Sequence, residues 1–197
     1  MANGAGTCKN SSVVKHSSVL AADRACLVVV DVQERFRGVQ KGFEEMLSGV
    51  VRLVSTFRIL ELPVLVTEQY PRGLGRSVPE LLRALGEDAA FTKTSFSACG
   101  SAEFSRRLTD LGRRQVLVCG IETHVCVSQT VHDLLARGYT VHVAVDAVES
   151  RKEIDRELAL RKMERSGAVL TTSESAAFEL LEDKESPGFK AVQALFK

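Results

Sequence analysis

What the sequence lacks narrows its class before any motif is read. No uninterrupted apolar run approaches the roughly 18 residues of a membrane span, so no membrane partner is expected. No charge of one sign dominates: 26 Lys and Arg stand against 25 Asp and Glu, a net +1. An electrostatic nucleic-acid or membrane binder needs a concentrated basic excess, so no nucleic-acid partner is expected either. The four histidines, His16, His124, His132 and His142, include no H-x-x-x-H pair, and no C-x-x-C occurs, so no metal site is expected. There is no G-x-G-x-x-G, no phosphate-binding P-loop and no G-x-S-x-G serine elbow. The short GLGRS at 73–77 lies between elements and does not replace them. No cofactor is called for.

The cysteines are also defined by something missing. No secretory apolar region precedes them, and Cys8, Cys26, Cys99, Cys119 and Cys126 are odd in number and irregular in spacing. Free thiols in a reducing compartment follow, with the cytoplasm as the expected location.

With 197 residues and 45% hydrophobic content, the chain can close one full core. Residues 1–20 are small and polar, and the expected organisation is a flexible segment over 1–20 and one domain over 21–197. No acidic residue precedes Asp23, and Lys9, Lys15 and His16 give a faint likeness to an organelle import signal. The segment has neither arginine nor amphipathic period, which favours a loose terminus.

From Ala25 onward strands and helices alternate. CLVVVDV (26–32) reads as a strand buried on both faces. A helix follows, with Glu44 and Glu45 at its positive end and Leu47, Val50, Val51, Val54 and Phe57 on one face. PVLVTE (63–68), QVLVCGI (115–121), TVHVAVDA (140–147) and GAVLTT (167–172) are further strands. Helices are expected over Ser101–Leu111, His124–Arg137, Ser173–Leu181 and Phe189–Phe196. Another opens at the capping-box sequence Ser150–Glu153. This alternation predicts a three-layer α-β-α sandwich around a mostly parallel, doubly wound sheet. In such sheets ligands bind beyond the carboxyl ends of the strands.

Three residues are candidates for chemistry. Asp31 closes a buried strand, where an ionised carboxylate needs a partner. Cys126 falls in the first turn after a strand, where helix amides and dipole are expected to lower a thiol pKa and to hold an oxyanion. Lys93 lies in a non-periodic stretch before a helix. Each has an ordinary alternative: a capped carboxylate, a small core residue, a solvated loop lysine. Cys26 and Cys119 read as core, and Cys8 and Cys99 as bystanders.

Together, VVVDVQERF (28–36), TEQYPRGLG (67–75), TKTSFSA (92–98), GIETHVCV (120–127) and VDAVESR (145–151) resemble, in order and spacing, the isochorismatase-like cysteine hydrolases. The likeness is closest to the isochorismatase-domain-containing branch and spans residues 20 to 196. It implies a catalytic triad of Asp31, Lys93 and Cys126. It also implies a cis peptide at Ile121–Glu122 and an oxyanion hole from the backbone N–H groups of Glu122 and Cys126. Gln33, Phe36, Gln69, Tyr70, Phe96 and Ile121 adjoin these motifs and are expected in the substrate pocket. Self-association as a dimer or tetramer is a family expectation.

Two departures narrow the activity. Family nicotinamidases carry an Asp/His/His metal site, whereas residues 32–62 here contain no histidine. True isochorismatases act on a vinyl ether without a cysteine, so Cys126 favours amide-like bonds in a small molecule. The competing readings are a scaffold that kept the fold and a ribonuclease, a label some branch members carry.

Overall fold

The computed structural model describes residues 15–86 and 90–197. In chain order the elements are β1 (Ala25–Val30), α1 (Glu34–Arg37), α2 (Phe43–Ile59), β2 (Val64–Gln69), α3 (Pro71–Leu74), α4 (Pro79–Leu85) and β3 (Phe91–Lys93). They continue with α5 (Ala102–Asp110), β4 (Gln115–Ile121), α6 (Ser128–Ala136), β5 (Thr140–Glu149), α7 (Glu153–Arg165), β6 (Val169–Thr171), α8 (Ser173–Leu181) and α9 (Phe189–Ala194).

All strand pairings in the sheet are parallel, in the order β3-β2-β1-β4-β5-β6. The strongest sequence signals sit at its centre because those strands have no wet face. Every residue of β1 and β4 is buried. Alternate side chains divide between two cores: Leu27 and Val29 of β1 face the layer of α2, α4 and α8, while Cys26, Val28 and Val30 face that of α5, α6 and α7. Helix α2 buries Leu47, Val50, Val54 and Phe57 in the first core, as its periodicity requires.

The chain winds outward from β1 through β2 to β3, then returns beside β1 to form β4 and winds the other way. The loops leaving β1 and β4 therefore diverge, and a crevice opens between them at the carboxyl edge. Gly120 permits this junction. Its φ is +116° and an added Cβ would lie 2.1 Å from the Val30 carbonyl oxygen, so only glycine fits.

Two sequence expectations need correction. Ser150 does not cap α7: its hydroxyl pairs with His124 Nδ1 at 3.0 Å, and α7 begins after Lys152 without a side-chain cap. Lys93 ends strand β3, too short to show periodicity, and does not belong to a loop. Of the segment expected to be loose, residues 1–14 lie outside the described residues, whereas 15–20 are tied down. The Leu20 amide donates to Glu179 Oε2 at 2.8 Å, and Gln115 Nε2 donates to the carbonyls of Ser17 and Val19. No helix among the described residues is long and apolar enough to cross a membrane.

Candidate active site

Strand register assembles the site. Val30 pairs with Thr67 on one side and with Gly120 on the other, and Gln69 pairs with Lys93. Asp31, Thr67, Lys93 and the turn after β4 therefore meet at one level of the sheet edge.

Asp31 is wholly buried and adopts the left-handed backbone conformation (φ +54°) that aspartate tolerates. Thr67 Oγ1 donates to its Oδ1 at 2.7 Å, and Lys93 Nζ donates to its Oδ2 at 2.6 Å. The Cys126 thiol lies close enough to the carboxylate for each to shift the other's titration, Cys126 lowering Asp31 and Asp31 raising Cys126. Burial pushes the Asp31 carboxyl above the usual range, opposed chiefly by the Lys93 charge.

Lys93 Nζ has three hydrogens and meets four acceptors: Asp31 Oδ2 at 2.6 Å, Gln69 Oε1 at 2.8 Å, the Phe96 carbonyl at 2.9 Å and the Ser95 carbonyl at 3.1 Å. The ammonium is fully engaged by protein groups.

Cys126 sits in a π-helical turn over Thr123–Val127, a geometry common at functional sites. The Ile121–Glu122 peptide before it is cis, and the Glu122 backbone favours the thiolate. Even so, the thiol is pushed up to about 12, first by burial and then by the Asp31 charge. The expected lowering by the helix terminus is thus overturned: desolvation and a neighbouring carboxylate outweigh the dipole and Lys93. At rest the Cys126 thiol is protonated.

The remaining expected site residues separate by role. Gln33 is wholly buried and uses its carboxamide on backbone groups, donating to the carbonyls of Gln69 (3.0 Å) and Gly75 (2.6 Å) and accepting from the Gln69 amide (2.8 Å). It pins the loops and offers nothing to a pocket. Ile121 is likewise wholly buried, in the α2-side core, because strand alternation turns it away from the edge. Gln69 positions Lys93 and anchors itself to the Thr94 carbonyl. Phe36 packs half-buried against the α2-side core, while Tyr70 and Phe96 stand exposed.

Sequence reading missed Thr67 as a partner of Asp31, although its pairing with Val30 follows from register. It also missed Arg151, whose Nε donates to Glu122 Oε1 at 2.9 Å and draws α7's leading loop onto the site. Cys26, Cys99, Cys119 and Cys126 are all free and buried; Cys8 lies outside the described residues. No group of three or more His, Cys, Asp or Glu among the described residues could hold a metal ion.

Comparison with known proteins agrees with this architecture. Residues 25–175 match the isochorismatase domain model. Isochorismatase domain-containing protein 1 of Salmo salar is 46% identical over 168 residues, which make up 85% of this chain and 59% of that protein. The chain thus spans somewhat over half the length of that relative. Among solved structures, the MAR1 ribonuclease of Caenorhabditis elegans has a TM-score of 0.85 and 44% identity, covering 90% of this chain and 91% of its own. YcaC of Pseudomonas aeruginosa, solved with hexane-2,5-diol and covalent acrylamide, has a TM-score of 0.84 and 26% identity, covering 90% and 91%. Sheet order, edge site and these matches agree: the chain belongs to the isochorismatase family.

Proposed function

We propose that this chain is a cysteine hydrolase that cleaves an amide or related acyl bond in a small molecule. The observation that carries this reading is one buried carboxyl, Asp31, ion-paired to Lys93 and near enough to the Cys126 thiol for its charge to act on it. A thiol held protonated next to a buried base is a nucleophile made on demand. Asp31 takes the thiol proton as Sγ attacks the carbonyl carbon, and the backbone N–H groups of Glu122 and Cys126 receive the resulting oxyanion. Asp31 then returns the proton to the leaving nitrogen, and the C–N bond breaks to leave a thioester. Water, deprotonated by Asp31, releases the acid and restores the thiol. Lys93 keeps Asp31 ionised between these steps. The acrylamide adduct of the Pseudomonas aeruginosa relative supports electrophile chemistry in this fold. As in the family expectation, the working form is a dimer or tetramer.

The test is electrophile trapping. Iodoacetamide should label Cys126 ahead of every other cysteine, and Asp31→Asn or Lys93→Ala should slow it. Equal labelling of all thiols would sink the hydrolase reading.

The Caenorhabditis elegans relative's ribonuclease label favours a second reading. RNA cleavage that survives purification and disappears in Cys126→Ser would favour it. Cleavage unaffected by that substitution would assign the activity elsewhere.

A further inference from the structure

Of the segments that carry the family resemblance, VDAVESR (145–151) contributes no group to the mechanism proposed above. Its last two residues lie in the loop between β5 and α7, and both are bonded to the turn that carries Cys126. Ser150 Oγ pairs with His124 Nδ1 at 3.0 Å. Arg151 donates to Glu122 Oε1 from Nε at 2.9 Å and from its backbone N–H at 3.3 Å. The loop thus grips the turn on either side of Thr123, just ahead of the nucleophile. It is itself held in place: the Ser150 amide donates to Glu149 Oε1 at 2.8 Å, and Arg156 Nε donates to the Val148 carbonyl at 3.1 Å.

Glu122 is where this grip meets the chemistry. Its side chain is 8% exposed, and among the described residues Arg151 is the carboxylate's partner, through both donors. Its carbonyl accepts from the amides of Val125 (3.0 Å) and Val127 (3.2 Å) within the turn. The residue before it, Ile121, is registered against Glu149 of β5. With side chain, carbonyl and preceding residue all fixed, the Glu122 N–H has one direction left. Without Arg151, a buried carboxylate loses its partner and can find water only if the residue turns. The guanidinium itself is 59% exposed, so replacing it opens no hole in the core.

We infer that Arg151 is a positioning residue of this site: acting through Glu122, it aims the backbone N–H that receives the oxyanion. The inference rests on the hydrolase reading above and adds a residue to it. Arginine suits the task because its planar head holds a carboxylate in a fixed geometry.

The test compares two reagents on Cys126 of the full chain, read by mass spectrometry. With acrylamide, Sγ bonds the terminal carbon, the thiol proton passes to Asp31 and the C=C electrons move onto the amide oxygen. Asp31 then protonates the α-carbon as the carbonyl re-forms, so the hole is used. With methyl methanethiosulfonate, Sγ bonds the methylthio sulfur and methanesulfinate leaves, with no charge on a carbonyl oxygen. In Arg151→Met the ratio of acrylamide to methanethiosulfonate rates should fall about tenfold, less than the roughly hundredfold that loss of an oxyanion donor outright costs. Arg151→Lys keeps a cationic donor for Glu122 and should restore most of the ratio. Arg151→Gln carries the same expectation as Arg151→Met if that variant folds poorly. A merely structural role would slow both reagents together, and an unchanged ratio in Arg151→Met overturns the inference, as does one that Arg151→Lys leaves equally low. Cys126 inert to both reagents in the wild type overturns the hydrolase reading itself.

Discussion

Lys93 Nζ lies 2.6 Å from Asp31 Oδ2, and neither side chain is reached by solvent. A buried ion pair differs from a surface one in what happens when half is removed. The survivor keeps its desolvation cost and loses its compensation, typically about 3–5 kcal/mol. Lys93→Met should therefore destabilise the protein by about that amount and drive Asp31 to take up a proton, which removes the base. Lys93→Met combined with Asp31→Asn should regain much of the stability and none of the Cys126 reactivity. Denaturant melts and labelling rates on the two singles and the double provide the cycle. A double variant as unstable as Lys93→Met would remove the ion pair from the account.

The rate of Cys126 labelling should depend on pH through Asp31. Burial raises the Asp31 carboxyl above its ordinary value, and burial with the Asp31 charge pushes the thiol up to about 12. Wild-type labelling should accordingly level off above the raised Asp31 pKa and fall as pH drops through it, where the carboxylate is protonated. In Asp31→Asn the base is gone and solvent must form the thiolate, so labelling should rise about tenfold per pH unit across neutrality. Removing the carboxylate charge also lowers the thiol pKa, so the variant should reach its plateau below pH 12. A wild-type profile rising in the same way would show that Asp31 accepts no proton.

The sheet centre was legible because β1 and β4 are buried on both faces, and a strand with no wet side shows an unbroken apolar run. Strand β3 was not: of its residues only Lys93 is buried, and pairing with β2 defines it, not its own pattern. The same distinction runs through the site. Motif order was enough to name Asp31, Lys93 and Cys126, and parallel register then brings them to one level. The thiol's pKa was misjudged because burial raises it most and the Asp31 charge that adds to it comes from another strand, and neither is written in its local sequence. That Gln33 and Ile121 are wholly buried was not legible, because adjacency to a motif does not tell which way a side chain turns.

Buried His142 should make the fold acid-sensitive. Burial lowers its pKa from 6.5 to about 4, against an opposing pull from the Ser17 backbone. The native state thus refuses a proton that the unfolded chain accepts. Stability is unaffected above the unfolded pKa, declines as pH falls through about 6.5, and has lost its full share below about 4. That share is about 3 kcal/mol, because each tenfold loss of proton affinity on folding corresponds to about 1.4 kcal/mol. His142→Gln should flatten the decline in melting temperature over this window. An equally steep decline in the variant would assign the sensitivity to other groups.

Gly120 joins the backbone of the sheet to the chemistry of its edge, and a single methyl group should separate the two. At φ +116° an alanine is strained, and its Cβ would lie 2.1 Å from the Val30 carbonyl oxygen and 2.7 Å from the Val30 nitrogen. Neither atom can withdraw, because β1 is held between β2 and β4 along its length. Relief requires β1 and β4 to part where Asp31 and Glu122 leave the sheet. Gly120→Ala should cost at least about 2 kcal/mol in denaturant melts, from backbone strain and overpacking together. It should also slow Cys126 labelling at temperatures where the protein remains folded, since Asp31 and Cys126 reach the site from opposite sides of this junction. Gly138→Ala is the control: its φ is +79°, with nothing within 4 Å of an added Cβ. That change should cost strain alone and leave labelling at the wild-type rate. Equal effects of the two substitutions on labelling would show that the close approach of β1 and β4 does not set the site geometry.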